Sequence, residues 1–300
     1  MHRTSFITTR HIRDWGGILK SGGLRATYRK RMNDAGEFDY AKNVIYEALK
    51  EIGKRHNLSS VAQGLTIYIR KNLDQFLKDT IEMSRSYCAC LTISSDDPEQ
   101  WTTYAEDGKG FAIGFNLRQF LIMQIPARSR GEPYVFCAPV IYNEHDQRDL
   151  VWHFIKAGIS DLHNFAETRS QQSEHLTALR DRVTQEIVVH LLILIDFIKA
   201  PSYSREREMR LFLDPNNGTS KAANIQNHEQ TNESIPFILM DLRNPQTRRL
   251  PLTEIKVGPK SSFLEEMAFL DKLLDEHGYG NNYGDRPRIT KSLVESCIAK

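Results

Sequence analysis

Between Arg205 and Leu213 the residues alternate: Glu206, Glu208 and Arg210 fall on one side, and Arg207, Met209 and Leu211 on the other. A period of two is that of an extended strand with unlike faces, so the segment belongs in a sheet. Helical runs surround it, and no regular β-α repeat links the short strands to the helices. That combination predicts an α+β fold, a single globular unit over residues 1–300 with a central, mostly antiparallel sheet packed with helices.

The other elements follow from local signals. Strands are expected near Ser5, Tyr87–Ile93, Phe111–Phe115, Val135–Tyr142, Ile235–Met240, Ile255–Gly258 and Arg288–Thr290. Thr8 or Thr9 can cap a first helix carrying Ile12, Trp15 and Leu19, which Gly22-Gly23 ends. Apolar spacing predicts helices over Tyr40–Lys54, Leu65–Met83, Asp149–Phe165 and Phe263–Asp275. Asp97 caps a short helix with Pro98 in its first turn, and Gly108 and Gly110 stop it. The run Ile187–Ile198 is too short to span a membrane and carries His190 and Asp196, so it reads as a buried core helix. Asn33–Glu37 has the residue types of a turn, and 219–234 reads as an exposed loop or a hairpin tip.

A formal net charge of +2 over 300 residues argues against a dedicated nucleic-acid or membrane-surface protein. Arg3, Arg10, His11 and Arg13 interrupt any apolar run of signal-peptide length, so the expected location is the cytoplasm. Cys88, Cys90, Cys137 and Cys297 form no Cys-x-x-Cys spacing and have no histidine pattern beside them, and no metal is expected. Cys88 and Cys90 share one strand face and read as small buried residues.

Glu206 and Glu208 are the candidate catalytic acids, with Arg210 as the anion or carboxylate partner. Two acids and a guanidinium on one strand face can grip a ribose, a phosphate or a metal; they can equally pair with each other on a solvated face. Trp101 and Tyr104, three apart on a helix, either stack on a base or nicotinamide ring or join the core. Asn33, Asp34 and Glu37 meet a ligand or cap the helix that follows. The acidic group Asp96, Asp97 and Glu99 is explained by capping without a cation.

Several ordered pieces resemble DUF2971, a large, mostly bacterial family of unknown function. They are Thr8-Thr9, Ile18-Leu19, Gly23-Leu24, Asn33-Asp34 with Glu37, Thr92-Ile-Ser94, Gln100-Trp101, Tyr104, Gly110-Phe-Ala-Ile-Gly-Phe115 and Val140-Ile-Tyr142. Lys199 with Tyr203, Glu206, Glu208 and Arg210, then Ile255-Lys-Val-Gly-Pro259 and Ile289 with Ser292, continue the series. Ser5, Phe6 and Ile7 depart from the family's usual residues before the two threonines, and Ala35 replaces its usual proline. The opening is also similar, at the level of fold, to ADP-ribosyltransferase-type enzymes.

The two resemblances imply a nucleotide-using enzyme that transfers ADP-ribose to a protein or nucleic-acid acceptor or cleaves NAD, in the setting of a bacterial toxin or phage-defence effector. Glu208 and Glu206 would serve the ribose, and Arg210, Asn33, Asp34, Trp101, Tyr104 and Thr8 would contact the ligand. NAD is then the expected cofactor. The alternative is a non-catalytic regulatory module that binds a nucleotide in the same cleft.

Overall fold

The computed structural model describes residues 5–10, 12–29, 35–54, 60–83, 86–116, 135–168, 173–213, 225–230, 233–280 and 286–294. Read as one domain in sequence, the chain groups its contacts into two compact units, each assembled from several segments. One holds the strands and the other holds four long helices.

The sheet unit comprises Met1–Arg31, Ser86–Pro139 and Glu206–Lys300. Its strands are β1 (Ser5–Arg10), β2 (Gly23–Tyr28), β3 (Tyr87–Thr92), β4 (Phe111–Asn116), β5 (Val135–Pro139), β6 (Glu208–Leu213), β7 (Ile225–Gln230), β8 (Glu233–Asp241), β9 (Leu252–Val257) and β10 (Arg288–Lys291). They run in the order β10-β9-β4-β1-β3-β2-β8-β7, with β6 added to β3 and β5 to β6. Every pairing is antiparallel except β9 with β10. The expected α+β class with a mostly antiparallel sheet is therefore what the chain adopts.

Alternate residues of these strands supply one continuous apolar face. Tyr87, Ala89 and Leu91 of β3 stand opposite Leu213, Leu211 and Met209 of β6, and all six join Phe111, Ile113, Phe115, Ile255 and Val257 in one core. Helix α1 (Ile12–Ser21) adds Ile18 and Leu19 to it. Its end is local chemistry: Gly22 has a φ of 70°, and its N–H donates to the Ile18 carbonyl at 2.8 Å. Thr8 and Thr9 lie inside β1 rather than at the cap of α1, correcting the capping expectation.

Helix α4 (Pro98–Tyr104) packs on the alternate residue of β4, with Trp101 and Ala105 against Ala112. Asp97 caps it by accepting from the Glu99 N–H at 2.9 Å, and Gly108, with a φ of 88°, follows its last turn. Beyond β9, helix α7 (Phe263–Glu276) returns Leu270 and Leu274 to the main core, where Tyr279 joins them. The described residues of the stretch 219–234 are strand. Ile225–Gln230 pairs with β8 from Gln230↔Glu233 outward, which is the hairpin of the two readings.

The helical unit comprises Met32–Arg85 and Val140–Arg205. It contains α2 (Ala35–Gly53), α3 (Ser60–Met83), α5 (Glu144–Thr168) and α6 (Ser173–Ile195). Three- and four-residue steps build its core: Ala41, Ile45, Ala48, Leu49 and Ile52 from α2; Leu65, Ile69, Leu73 and Leu77 from α3; Val183, Ile187, Leu191 and Leu194 from α6. Helix α2 starts at Ala35, so part of the expected Asn33–Glu37 turn is already helix. The run Ile187–Ile198 is amphipathic rather than buried all round, since Val189 and His190 are exposed. Among the described residues no helix is long and apolar enough to cross a membrane.

Tyr279 gives this core a pH dependence. Burial pushes its phenol up to about 12, opposed by the hydrogen bond its hydroxyl donates to the Leu250 carbonyl at 3.1 Å. An unfolded tyrosine titrates near 10. The stabilisation is thus complete below pH 10 and is lost between pH 10 and 12, an effect of about 2–3 kcal/mol. In urea unfolding, Tyr279→Phe should lower stability by about 1 kcal/mol at pH 7 and fall less steeply than the parent above pH 10. Parallel curves across that window would overturn this assignment.

Candidate functional site

The chain enters β6 through a 3-10 turn, Pro201–Glu206, and then Arg207 at a φ of 45°. A left-handed residue interrupts the two-residue alternation. Strand β6 begins at Glu208, so Glu206 precedes the face that carries Glu208 and Arg210, correcting the expectation that all three share it. The turn is tied to β3: the Glu206 carbonyl accepts from Thr92 Oγ1 at 2.8 Å, and the Arg207 carbonyl accepts from the Ile93 N–H at 3.0 Å.

Glu208 and Arg210 do lie together, but not on a solvated face. They are 7% and 4% exposed. Arg210 Nε donates to Glu208 Oε1 at 2.8 Å and Nη2 donates to Oε2 at 3.0 Å, a two-pronged bond that engages both carboxylate oxygens. Burial alone would lower the Arg210 pKa; the hydrogen bond and charge of Glu208 outweigh it and hold the guanidinium firmly protonated. Glu206 and Glu208 are the two expected catalytic acids. Glu208 has the geometry of an ion-pair partner, with both carboxylate oxygens engaged by Arg210.

The neighbours of this pair come from β3, where Thr92 stands opposite Glu208, Cys90 opposite Arg210 and Cys88 opposite Phe212. Cys88 is buried as expected, but Cys90 is exposed. The hydrogen bond with Cys88, burial and the Glu208 charge push the Cys90 pKa well up, against the pull of Arg210. Cys90 is therefore a neutral thiol at ordinary pH, unlike an activated nucleophile.

Trp101 and Tyr104 separate on α4. Trp101 is core, 1% exposed, and its indole Nε1 donates to Asp96 Oδ1 at 2.7 Å; Tyr104 is 54% exposed. They do not form a shared stacking surface. Asp96 also accepts from Ser292 Oγ at 2.6 Å and from the Leu293 N–H at 2.7 Å, with Lys256 Nζ 3.9 Å away. This carboxylate anchors the chain beyond β10 to the start of α4, whereas the capping expected of the acidic group falls to Asp97. Among the described residues no three His, Cys, Asp or Glu side chains gather as a metal ligand set.

Of the amino-terminal candidates, Thr8 stands opposite Ile113 in the β1–β4 register, and its side chain lies outside the described residues. Asn33 and Asp34 also lie outside them. In the helical unit, Glu37 forms an ion pair with the nearly buried Lys199, whose ammonium sits 4.7 Å from the centre of the Tyr203 ring. Buried Gln147 bonds the Ile141 and Lys199 carbonyls through Nε2 at 2.7 and 2.8 Å and accepts from Tyr40 through Oε1. Sequence patterning gave no sign that Lys199, Glu37 and Tyr203 meet; only their shared membership of the resemblance hinted at it.

A family model described as a protein of unknown function, DUF2971, matches residues 100–211. The match takes in Trp101, Tyr104, Lys199, Tyr203, Glu206, Glu208 and Arg210, and supports the resemblance read from sequence over that part of the chain. No curated protein and no solved structure matches.

Removing one partner of a buried ion pair leaves the other charge uncompensated, at a cost of about 3–5 kcal/mol, whereas replacing both with apolar residues costs far less. Glu208→Gln, nearly isosteric, should lower urea-unfolding stability by that amount, and Glu208→Leu/Arg210→Met should recover most of the loss. A Glu208→Gln protein within 1 kcal/mol of the parent would show that the pair carries no such weight.

Proposed function

We propose that this chain is a nucleotide-binding regulatory module that reads its ligand on the polar face of β3 and β6. The observation that carries the reading is the nearly buried Glu208–Arg210 pair beside a solvent-exposed Cys90. An apolar pair would brace the same strands without taking two charges out of water. A guanidinium held in one orientation by a bidentate carboxylate suits the recognition of a phosphate or a ribose hydroxyl. Thr92, opposite Glu208, adds a hydroxyl to this face, although its oxygen is engaged with the Glu206 carbonyl. Within this reading Glu208 orients Arg210, and an NAD-like nucleotide is the ligand class.

The second reading is cleavage of NAD, with or without transfer of ADP-ribose to an acceptor. What favours it is the fixed orientation of the Glu208 carboxylate, since a preorganised negative group stabilises the positive charge that grows on ribose as the nicotinamide bond breaks. That role requires no proton transfer, so the engagement of both oxygens by Arg210 is compatible with it.

Calorimetric titration of the full chain with NAD, ADP-ribose and ATP, run beside an assay for free nicotinamide, separates these outcomes. The module reading expects binding of at least one of them, no nicotinamide release, and at least tenfold weaker binding in Arg210→Lys, because a point charge cannot reproduce the planar fork. Nicotinamide release that Glu208→Gln abolishes, in protein shown to be folded by circular dichroism, would put the second reading in its place. Absence of binding by all three ligands would overturn both.

A further inference from the structure

Residues 292–294, which follow β10, are held mainly by one carboxylate. Asp96 Oδ1 accepts from Ser292 Oγ at 2.6 Å, and Oδ2 accepts from the Leu293 N–H at 2.7 Å. The rest of the attachment is slight. The Ser292 N–H donates to the Val257 carbonyl at 2.9 Å, the Val294 N–H donates to Ser292 Oγ at 3.1 Å, and the partly buried Val294 packs against Trp101, Ala105 and Ala112. Leu293 is 87% exposed. A segment with so few buried contacts belongs to the low end of local stability and can open without unfolding the sheet. Opening would leave no bare charge behind, because Asp96 keeps the Trp101 indole N–H at 2.7 Å and Lys256 Nζ at 3.9 Å.

Asp96 stands four residues after Thr92, and the chain between them is tied to the entry of β6. Thr92 Oγ1 donates to the Glu206 carbonyl at 2.8 Å and accepts from the Ser94 N–H at 3.1 Å, while the Ile93 N–H donates to the Arg207 carbonyl at 3.0 Å. At the far end Asp97 caps α4. Residues 92–97 are thus a short bridge, with the segment after β10 bound at one end and the Glu206–Arg207 turn at the other. Arg207, at a φ of 45°, persists in the left-handed region only because its surroundings over-determine it. The bonds from Thr92 and Ile93 are that restraint, and the turn they fix sets where Glu208 and Arg210 stand.

We propose that residues 292–294 are a strap whose docking on Asp96 regulates the polar face of β3 and β6. Docked, the strap fixes the 92–97 bridge and holds the turn that places Glu208 and Arg210; released, it loosens both. The coupling is reciprocal, so a ligand that orders the β6 entry also tightens the strap. That ligand consequence rests on the nucleotide reading, whereas the link between strap and turn does not.

Residue-resolved amide hydrogen exchange on the full chain tests the link without ligand. In Ser292→Ala, which removes the hydroxyl that bonds both Asp96 and Val294, the Leu293 amide should exchange about tenfold faster or more, and the Ile93 and Ser94 amides about threefold faster or more. Asp96→Asn, which keeps the volume and removes the charge, should act in the same direction. Thr290→Ala removes a bond to Glu254 instead of one to Asp96 and should leave Ile93 and Ser94 at the parental rate. Faster exchange at Leu293 with no change at Ile93 and Ser94, an equal effect in Thr290→Ala, or an unchanged Leu293 in both strap variants would overturn the proposal. With NAD, ADP-ribose or ATP bound, as shown by calorimetry, the Leu293 amide should slow about threefold or more. Binding that leaves Leu293 unchanged would overturn the regulatory link while the nucleotide reading stands; absence of binding by all three would overturn that reading alone, with the ligand-free exchange still deciding the link.

Discussion

The pairing of β3 with β6 is the interaction on which the sheet unit depends. Six consecutive register pairs, from Tyr87↔Leu213 to Thr92↔Glu208, occupy one edge of β3. Its other edge is divided, with β2 paired at Tyr87 and Cys88 and β1 at Thr92. β3 thus ties together the β1–β4–β9–β10 side, the β2–β8–β7 side and the β6–β5 branch. A one-residue slip between β3 and β6 would turn Met209, Leu211 and Leu213 out of the core and Glu208 and Arg210 into it. The unlike faces of β6 therefore specify the register that the sheet requires.

That same register creates the polar face. Once the apolar residues of both strands are committed to the core, Cys88, Cys90, Thr92, Glu208 and Arg210 have no choice but to gather on the opposite side. The Glu208–Arg210 pair is the electrostatic answer to burial there: each charge supplies the partner that water no longer provides. Cys90 remains open beside it. The Glu208–Arg210 pair and the two cysteines are thus two consequences of one strand pairing.

Much of the fold was legible in the sequence because its signals are local. The Asp97 cap with Pro98, the Gly22 stop, and the four-residue apolar steps of α2 and α3 act within a turn or two of chain, and their elements form where those signals lie. The failures have equally definite causes. Thr8 and Thr9 resemble caps, but pairing with β4 draws them into β1. The 219–234 stretch suited a loop or a hairpin tip alike, and the edge that β8 offers to Ile225–Gln230 decides for the hairpin. Asp96 looked like part of an acidic cluster; contacts with Ser292 and Leu293, nearly two hundred residues away in sequence, decide its role.

By itself the sequence determined the class of fold, the apolar and polar faces of β6, and the proximity of Glu208 to Arg210, since same-face spacing along a strand is a property of the backbone. Only the tertiary structure decided that Glu206 stands outside that face, because the left-handed backbone at Arg207 arises where the 3-10 turn is pinned to Thr92 and Ile93. It also decided that the charged pair is buried, that Trp101 belongs to the core while Tyr104 faces solvent, and that Lys199 meets Glu37 and Tyr203. Burial and partnership depend on segments distant in the chain, and no local pattern encodes which of them will arrive.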